Sequence, residues 1–294
     1  MGIKATLFRT AFNFGMKVQW RSRKAPHIAC QDVVVPVSDG SIKLRVYTPP
    51  SSEGPLPTLI YYHGGGWVIG NVDSYDKCCR DLCDKSGYMV ISVDYRLAPE
   101  HPFPPAAIDS ISAFEWVAAN TEKLGIDASR LFVGGDSAGG NLAAVVAQQA
   151  RDKGLHDIRG QVLIYPMVAH FSKNFASYQT KGTGYALTTN TMQWFWNSYL
   201  ETSTHWKPGQ TEHVLATPAS VADLSKLPPA LLITAENDPL HDEGAEYAEQ
   251  LRSAGCEVQY TDYPGYAHGF IGVGGPGEEH DKGVAEIVNW LHAQ

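Results

Sequence analysis

"RLFVGGDSAGGNLAAVVAQQARD", residues 130–152, decides how the chain is read. Its first six residues form an apolar run that ends in glycines, which predicts a strand over 130–135. The alanine-rich stretch that follows predicts a helix from about 138 to 152. Between the two stands one serine, Ser137, with Asp136 before it and Ala138, Gly139 and Gly140 after it. Side chains at 135 and 139 would hold strand and helix apart on a sharp turn, so the glycines there read as clearance. A hydroxyl on such a turn is pushed up at the end of a sheet, which makes Ser137 a candidate nucleophile. A phosphate cradle is a competing reading, but the P-loop pattern carries a lysine and none is here. A plain strand–helix turn with an incidental serine stays open on this motif alone.

Moving outward, "VVVPV" (33–37) and "IKLRVY" (42–47) flank the turn "SDG" and predict a hairpin. Strands are expected at "TLIYYH" (58–63), "YMVISVD" (88–94), "QVLIY" (161–165), "ALLITAE" (230–236) and "EVQYTDY" (257–263). Helical spacing runs over 108–125, with Gly125 as its stop, and again near 240–254 and 281–292. After the hairpin, strands and helices alternate, and the strands are continuous apolar runs. The fold class is therefore α/β, a mostly parallel central sheet flanked by helices with an antiparallel start. Residues 167–215 break the rhythm: they are rich in aromatics, lack a clear strand and carry one helical stretch, 188–200. They read as a lid over the sheet, packed with a helix from the N-terminal segment. One domain over 1–294 is expected, with a helical cap from about 1–30 and 167–215.

The 294 residues are 44% hydrophobic, enough for a large core. The net charge of −8 argues against a nucleic-acid partner, whose usual footprint is basic. The first 31 residues nevertheless hold six bases (Lys4, Arg9, Lys17, Arg21, Arg23, Lys24) and no acid. With Leu7, Phe8, Phe12 and Phe14 among them, the segment reads as a helix docking its apolar stripe on the body. A transit peptide or a membrane-surface helix is the competing reading. No run of 18 apolar residues exists, so stable membrane insertion is not expected. The odd count of five cysteines, with Cys78, Cys79 and Cys83 clustered, lacks a zinc spacing. Buried thiols in a reducing cytoplasm are expected, and no metal.

A serine nucleophile needs a base, and the base needs an orienting acid. "HGGGW" (63–67) follows a strand, and its glycines can aim backbone N–H groups at the oxyanion of a tetrahedral intermediate. In chain order, acid and then histidine should lie on loops after later strands. "ENDPL" (236–240) supplies Asp238, with Asp242 and Glu236 in reserve. Asp before Pro is also a good helix start, an N-cap with Pro at the first helical position. "YAHGF" (266–270) supplies His268 after the last strand; His63 belongs to the glycine motif and His241 precedes that strand.

Together, "HGGGW", "DYRLAPEHPFPPA" (94–106), "GDSAGG", "DPL" and "HGF" resemble the hormone-sensitive-lipase-like (bacterial family IV type) carboxylesterases of the α/β-hydrolase superfamily. The resemblance runs in order from about 58 to 270. It implies the α/β-hydrolase fold, Ser137 as nucleophile, His268 as general base and Asp238 as its partner. It implies an oxyanion hole of the Gly64, Gly65 and Ala138 N–H groups, an acyl-enzyme intermediate, and neither cofactor nor metal. The segment 94–106 reads as structural, with Asp94, Arg96 and Glu100 in internal polar links. Asp136 reads as a hydrogen-bonding residue that steadies the elbow or a neighbouring loop.

The leading expectation is a serine carboxylesterase for short- to medium-chain acyl esters, with an apolar pocket suggested by the aromatic lid and Trp67. An amidase or deacetylase would share the triad, and matched ester and amide substrates would separate the two. A non-catalytic binding protein on a hydrolase scaffold is the third reading. It disagrees with the presence of His268, and it would gain if a panel of nitrophenyl esters were left intact. A homodimer stays open.

Overall fold

A computed structural model of the chain describes residues 2–23, 25–50, 54–207 and 209–294, so Lys24 of the basic segment lies outside the described residues. The turn Ser38–Asp39 joins β1 (Ala29–Val37) to β2 (Gly40–Thr48) as the expected hairpin. The later strands are β3 (Leu56–Tyr62), β4 (Met89–Asp94), β5 (Ile126–Asp136), β6 (Gly160–Ile164), β7 (Ala230–Asn237) and β8 (Val258–Ala267). Among the described residues they form one sheet in the order β1-β2-β4-β3-β5-β6-β7-β8. β2 pairs antiparallel with β1 and β4, and every other pairing is parallel.

The helices are α1 (Gly2–Gln19), α2 (Asp76–Ser86), α3 (Pro105–Ala119), α4 (Thr121–Leu124), α5 (Ala138–Asp152), α6 (Ala176–Thr180), α7 (Thr189–Leu200), α8 (His241–Ser253) and α9 (Glu278–Ala293). Side chains alternate across a strand. Ile60 and Tyr62 of β3 therefore join one core layer with residues of α3, α5 and α8, while Leu59 and Tyr61 join the other with α2 and α9. Central β3 is buried on both faces, which is why its sequence reads as an unbroken apolar run.

One local expectation is corrected and two hold only in part. The helix over 108–125 is two helices. Asn120 leaves helical geometry at φ −120° and its side-chain amide donates to Trp116 O, so α3 ends there and α4 ends at left-handed Gly125. α2 carries Cys78, Cys79, Leu82 and Cys83 on its buried face, so these thiols act as small apolar residues at helical spacing. All five cysteines are free, but Cys30 is exposed. α1 buries only Ala5 and Met16 and leaves Leu7 and Phe14 largely exposed, so much of its apolar surface faces outward.

Candidate active site

Ser137, Asp238 and His268 are each the first residue beyond the C-terminal end of a parallel strand: β5, β7 and β8. The glycine loop at 63–69 begins at the same end of β3. Ligands of open α/β sheets bind outside these strand ends, so the topology alone brings the four segments together.

Ser137 sits at φ 57°, ψ −118°, a conformation that costs a non-glycine residue about 1–3 kcal/mol. The turn is held by Ser137 N–H donating to Ile164 O at 2.8 Å and by Met167 N–H donating to Ser137 O at 3.2 Å. A Cβ at Gly135 would lie 2.3 Å from Tyr62 O, and one at Gly139 would lie 1.9 Å from it. Those two glycines let β3, β5 and α5 meet at the serine.

Ser137 Oγ lies 3.1 Å from His268 Nε2, and His268 Nδ1 lies 2.6 Å from Asp238 Oδ2. Asp238 is fully buried, and its other oxygen accepts the Leu240 N–H at 2.8 Å. The carboxylate thus shapes the turn before α8 and faces the imidazole at once. It is not the N-cap with Pro239 at the first helical position, because α8 begins at His241. The reserve acids face elsewhere: Asp242 accepts the Ser177 N–H and Glu236 the Gly265 N–H. His241 pairs with Asp242, and His63 stacks on Tyr95 and holds Gly64 O. Burial pushes the His63 imidazole down, so it stays neutral.

The glycine loop changes one assignment. Gly64 N–H donates to Asp136 Oδ1 at 2.9 Å, so it is not available to an oxyanion. The N–H groups of Gly65 and Gly66 donate to no acceptor among the described residues, and both glycines line the cavity at Ser137. They have positive φ, 111° and 59°, a conformation that glycine adopts without strain. Ala138, the first residue of α5, has an N–H with no partner inside the helix. Asp136 meets the role expected of it: buried, it also accepts from Tyr61 Oη at 2.8 Å and Tyr75 Oη at 2.9 Å. Burial pushes its carboxyl up to about 6, against the pull of those donors.

The pattern of the alpha/beta hydrolase fold family matches residues 59–272. The chain is 40% identical over 264 residues to the ethyl acetate hydrolase of Pseudomonas putida, covering 88% of this chain and 81% of that protein. It is 41% identical over 259 residues to carboxylesterase NlhH of Mycobacterium tuberculosis, covering 86% and 79%. The solved hyperthermophilic esterase of the archaeon Pyrobaculum calidifontis superposes with a TM-score of 0.92 at 41% identity, over 98% of this chain and 93% of that one. The chain is a carboxylesterase of the α/β-hydrolase family. Within that family it stands with the hormone-sensitive-lipase-like, family IV type enzymes. The esterase acts on small-molecule esters, and no described helix is long and apolar enough to cross a membrane.

A cavity of about 470 Å³ opens over Ser137 and His268 in this esterase. Phe12 of α1, Ile69 of the glycine loop, Leu187 and Phe195 of the 167–215 segment and Val273 supply its apolar walls. Trp67 does not line it. Trp67 is fully buried, stacked on Tyr199 with ring centroids 4.5 Å apart, inside the packing beneath the 167–215 segment.

Several supporting residues escaped the sequence reading. Arg9 of α1 donates to Val68 O and Ala98 O, each at 2.6 Å, and pairs with Glu100, tying α1 to the glycine loop. Glu243 is buried on α8 and accepts the N–H groups of Val168 and Ala169 and the Tyr178 hydroxyl. Its signal was available, since Glu243, Tyr247 and Leu251 share one buried helix face. The loop after His268 is pinned at Gly272, whose carbonyl accepts the Trp20 indole N–H and whose N–H donates to His280 Nδ1. His280, Asp81 and Asp281 lie together as metal ligands would. Their negative charge is met by Arg23 and Lys85, which makes them an ion-pair network under that loop.

Proposed function

We propose that Ser137 is the nucleophile, His268 the general base and acid, and Asp238 the group that orients and steadies the imidazole. The observation that supports this most is the unbroken Ser137 Oγ–His268 Nε2–Asp238 relay, 3.1 Å and 2.6 Å, at the floor of an apolar cavity. His268 Nε2 takes the serine proton as Oγ attacks the ester carbonyl carbon. Asp238 Oδ2 keeps the other imidazole proton on Nδ1, leaving Nε2 free to accept. The oxyanion is received by the N–H groups of Gly65, Gly66 and Ala138, with Gly64 reassigned to hold Asp136. His268 then returns the proton to the leaving alcohol, and water releases the acyl group by the same path in reverse.

α1 and residues 167–215 form the cap of this reading, supported by the Phe8–Trp194 contact at 5.1 Å and by the walls both give the cavity. A volume of about 470 Å³ with mostly apolar walls fits acyl esters of short to medium length. Five free thiols suit a reducing compartment, which is the support for a cytoplasmic location. The test is a panel of nitrophenyl esters from acetyl to dodecanoyl, run on wild type and Ser137→Ala. Activity should peak at short acyl chains and vanish in the variant. Full activity in Ser137→Ala would overturn the mechanism, and a dodecanoyl peak would overturn only the chain length.

A further inference from the structure

α1 is apolar on two opposite sides. Ala5, Phe12 and Met16 face the body, and Arg9 on that side anchors the helix to the glycine loop. On the far side Ile3 is 82% exposed, Leu7 66%, Phe14 69% and Val18 42%. With exposed Ala11 between them, these positions fall at helical spacings of four, four, three and four. They make one continuous apolar line along the helix, about 22 Å long at 1.5 Å per residue. A monomer facing only water gains nothing from such a line, and an exposed apolar stripe of this length marks a contact surface.

Charge and position say what covers it. Lys4 and Lys17 flank the line on its two sides and exposed Arg21 continues it, in a segment with no acid before Asp32. Two copies meeting through this face would bring these like charges together. An anionic bilayer would attract them while repelling the acidic remainder of the chain, and so would turn α1 toward the lipid. Leu7 and Ala11 belong both to the exposed line and to the lining of the cavity, and Phe12 lies next along the helix. A lipid surface on α1 therefore meets the rim of the ester pocket.

We propose that the outward face of α1 docks on an anionic lipid bilayer and opens the pocket at the membrane surface. The esterase would then draw apolar esters laterally from the lipid rather than only from water. The purpose of the docking rests on the esterase reading above, but the docking itself does not.

The test is cosedimentation with vesicles of phosphatidylcholine alone and of phosphatidylcholine mixed with phosphatidylglycerol. It is read on Ser137→Ala protein, so a failed mechanism and a failed docking surface give different results. The anionic vesicles should bind this protein, with binding that falls as salt rises. Adding Ile3→Gln, Phe14→Gln and Val18→Gln should weaken binding about tenfold or more, and Lys17→Glu with Arg21→Glu should do the same. Placed in protein that keeps Ser137, either set should leave hydrolysis of a dissolved acetyl ester unchanged, which also reports an intact fold. Equal binding by all variants, or equal binding to neutral vesicles, would overturn the proposal. So would a wild-type dimer that the apolar substitutions turn into a monomer without any vesicle binding, which would give the face to a second copy.

Discussion

Asp136 Oδ1 accepts the N–H of Gly64 at 2.9 Å, joining the residue before Ser137 to the loop that faces it across the cavity. Elbow and glycine loop are therefore set by one buried carboxyl, which also holds the hydroxyls of Tyr61 and Tyr75. Asp136→Ala would leave three buried donors without their acceptor. Each such orphan costs about 1–3 kcal/mol. We expect a loss of about 3 kcal/mol or more in urea unfolding, together with a fall in kcat as Gly65 and Gly66 lose their setting. Asp136→Asn keeps an acceptor for Gly64 and should recover much of both. Equal stability of the Ala variant and wild type would show that the carboxyl does not organise the two segments.

The backbone of Ser137 makes a separate prediction. At φ 57° a serine is strained and a glycine is not. Ser137→Gly and Ser137→Ala should both abolish ester hydrolysis, yet the Gly variant should be more stable by about 1 kcal/mol, measured as the difference in unfolding free energy. An Ala variant at least as stable as the Gly variant would remove the argument that strain is stored at this turn.

The opening hairpin and the alternation of strands and helices after it were legible because their signals are local. An apolar run ending in glycines marks the end of β5, and Ser137 stands directly after it, whereas Asp238 and His268 are picked out by their order in the chain and the motifs around them. The oxyanion assignment was not fully legible. Gly64, Gly65 and Gly66 are the same letter, and only the position of Asp136 across the sheet decides which amide is already engaged. Trp67 was read as a pocket wall for the same reason: an aromatic beside a catalytic motif looks the same whether it faces the cavity or Tyr199. α2 was missed because its buried face is built from cysteines, which read as buried thiols without the aliphatic stripe that marks a helix. The outward apolar line of α1 was hidden by the assumption that a helix has one apolar face.

Phe195 tests the pocket. Its ring stands where a Cβ on Gly66 would be, 2.1 Å from the ring carbon, so it closes the cavity directly against the glycine loop. Phe195→Ala should open that end and move the optimum toward longer acyl chains. One methylene in an apolar pocket changes selectivity by about 1–3 kcal/mol. The ratio of kcat/KM for octanoyl over acetyl esters should therefore rise at least about tenfold. An unchanged ratio would place the acyl chain elsewhere in the cavity.

Glu243 links pH to the packing of the 167–215 segment. Burial pushes its carboxyl up to about 8, despite the Tyr178 hydroxyl and the Val168 and Ala169 N–H groups that favour the charged form. A carboxyl raised in the fold stabilises it fully below its unfolded value, near 4.5, and loses that contribution as pH rises through about 8. Glu243→Gln has the same shape and keeps an acceptor for the two backbone donors, but it does not titrate. Wild type should therefore lose stability relative to the Gln variant between about pH 5 and about pH 8, by on the order of a few kcal/mol. Urea unfolding of both proteins across that range measures the difference directly. Because Val168 and Ala169 follow Met167, whose N–H holds Ser137 O, kcat of wild type should also fall at the alkaline end more steeply than kcat of Glu243→Gln. A difference between the two proteins that stays constant with pH would mean that Glu243 keeps one protonation state throughout.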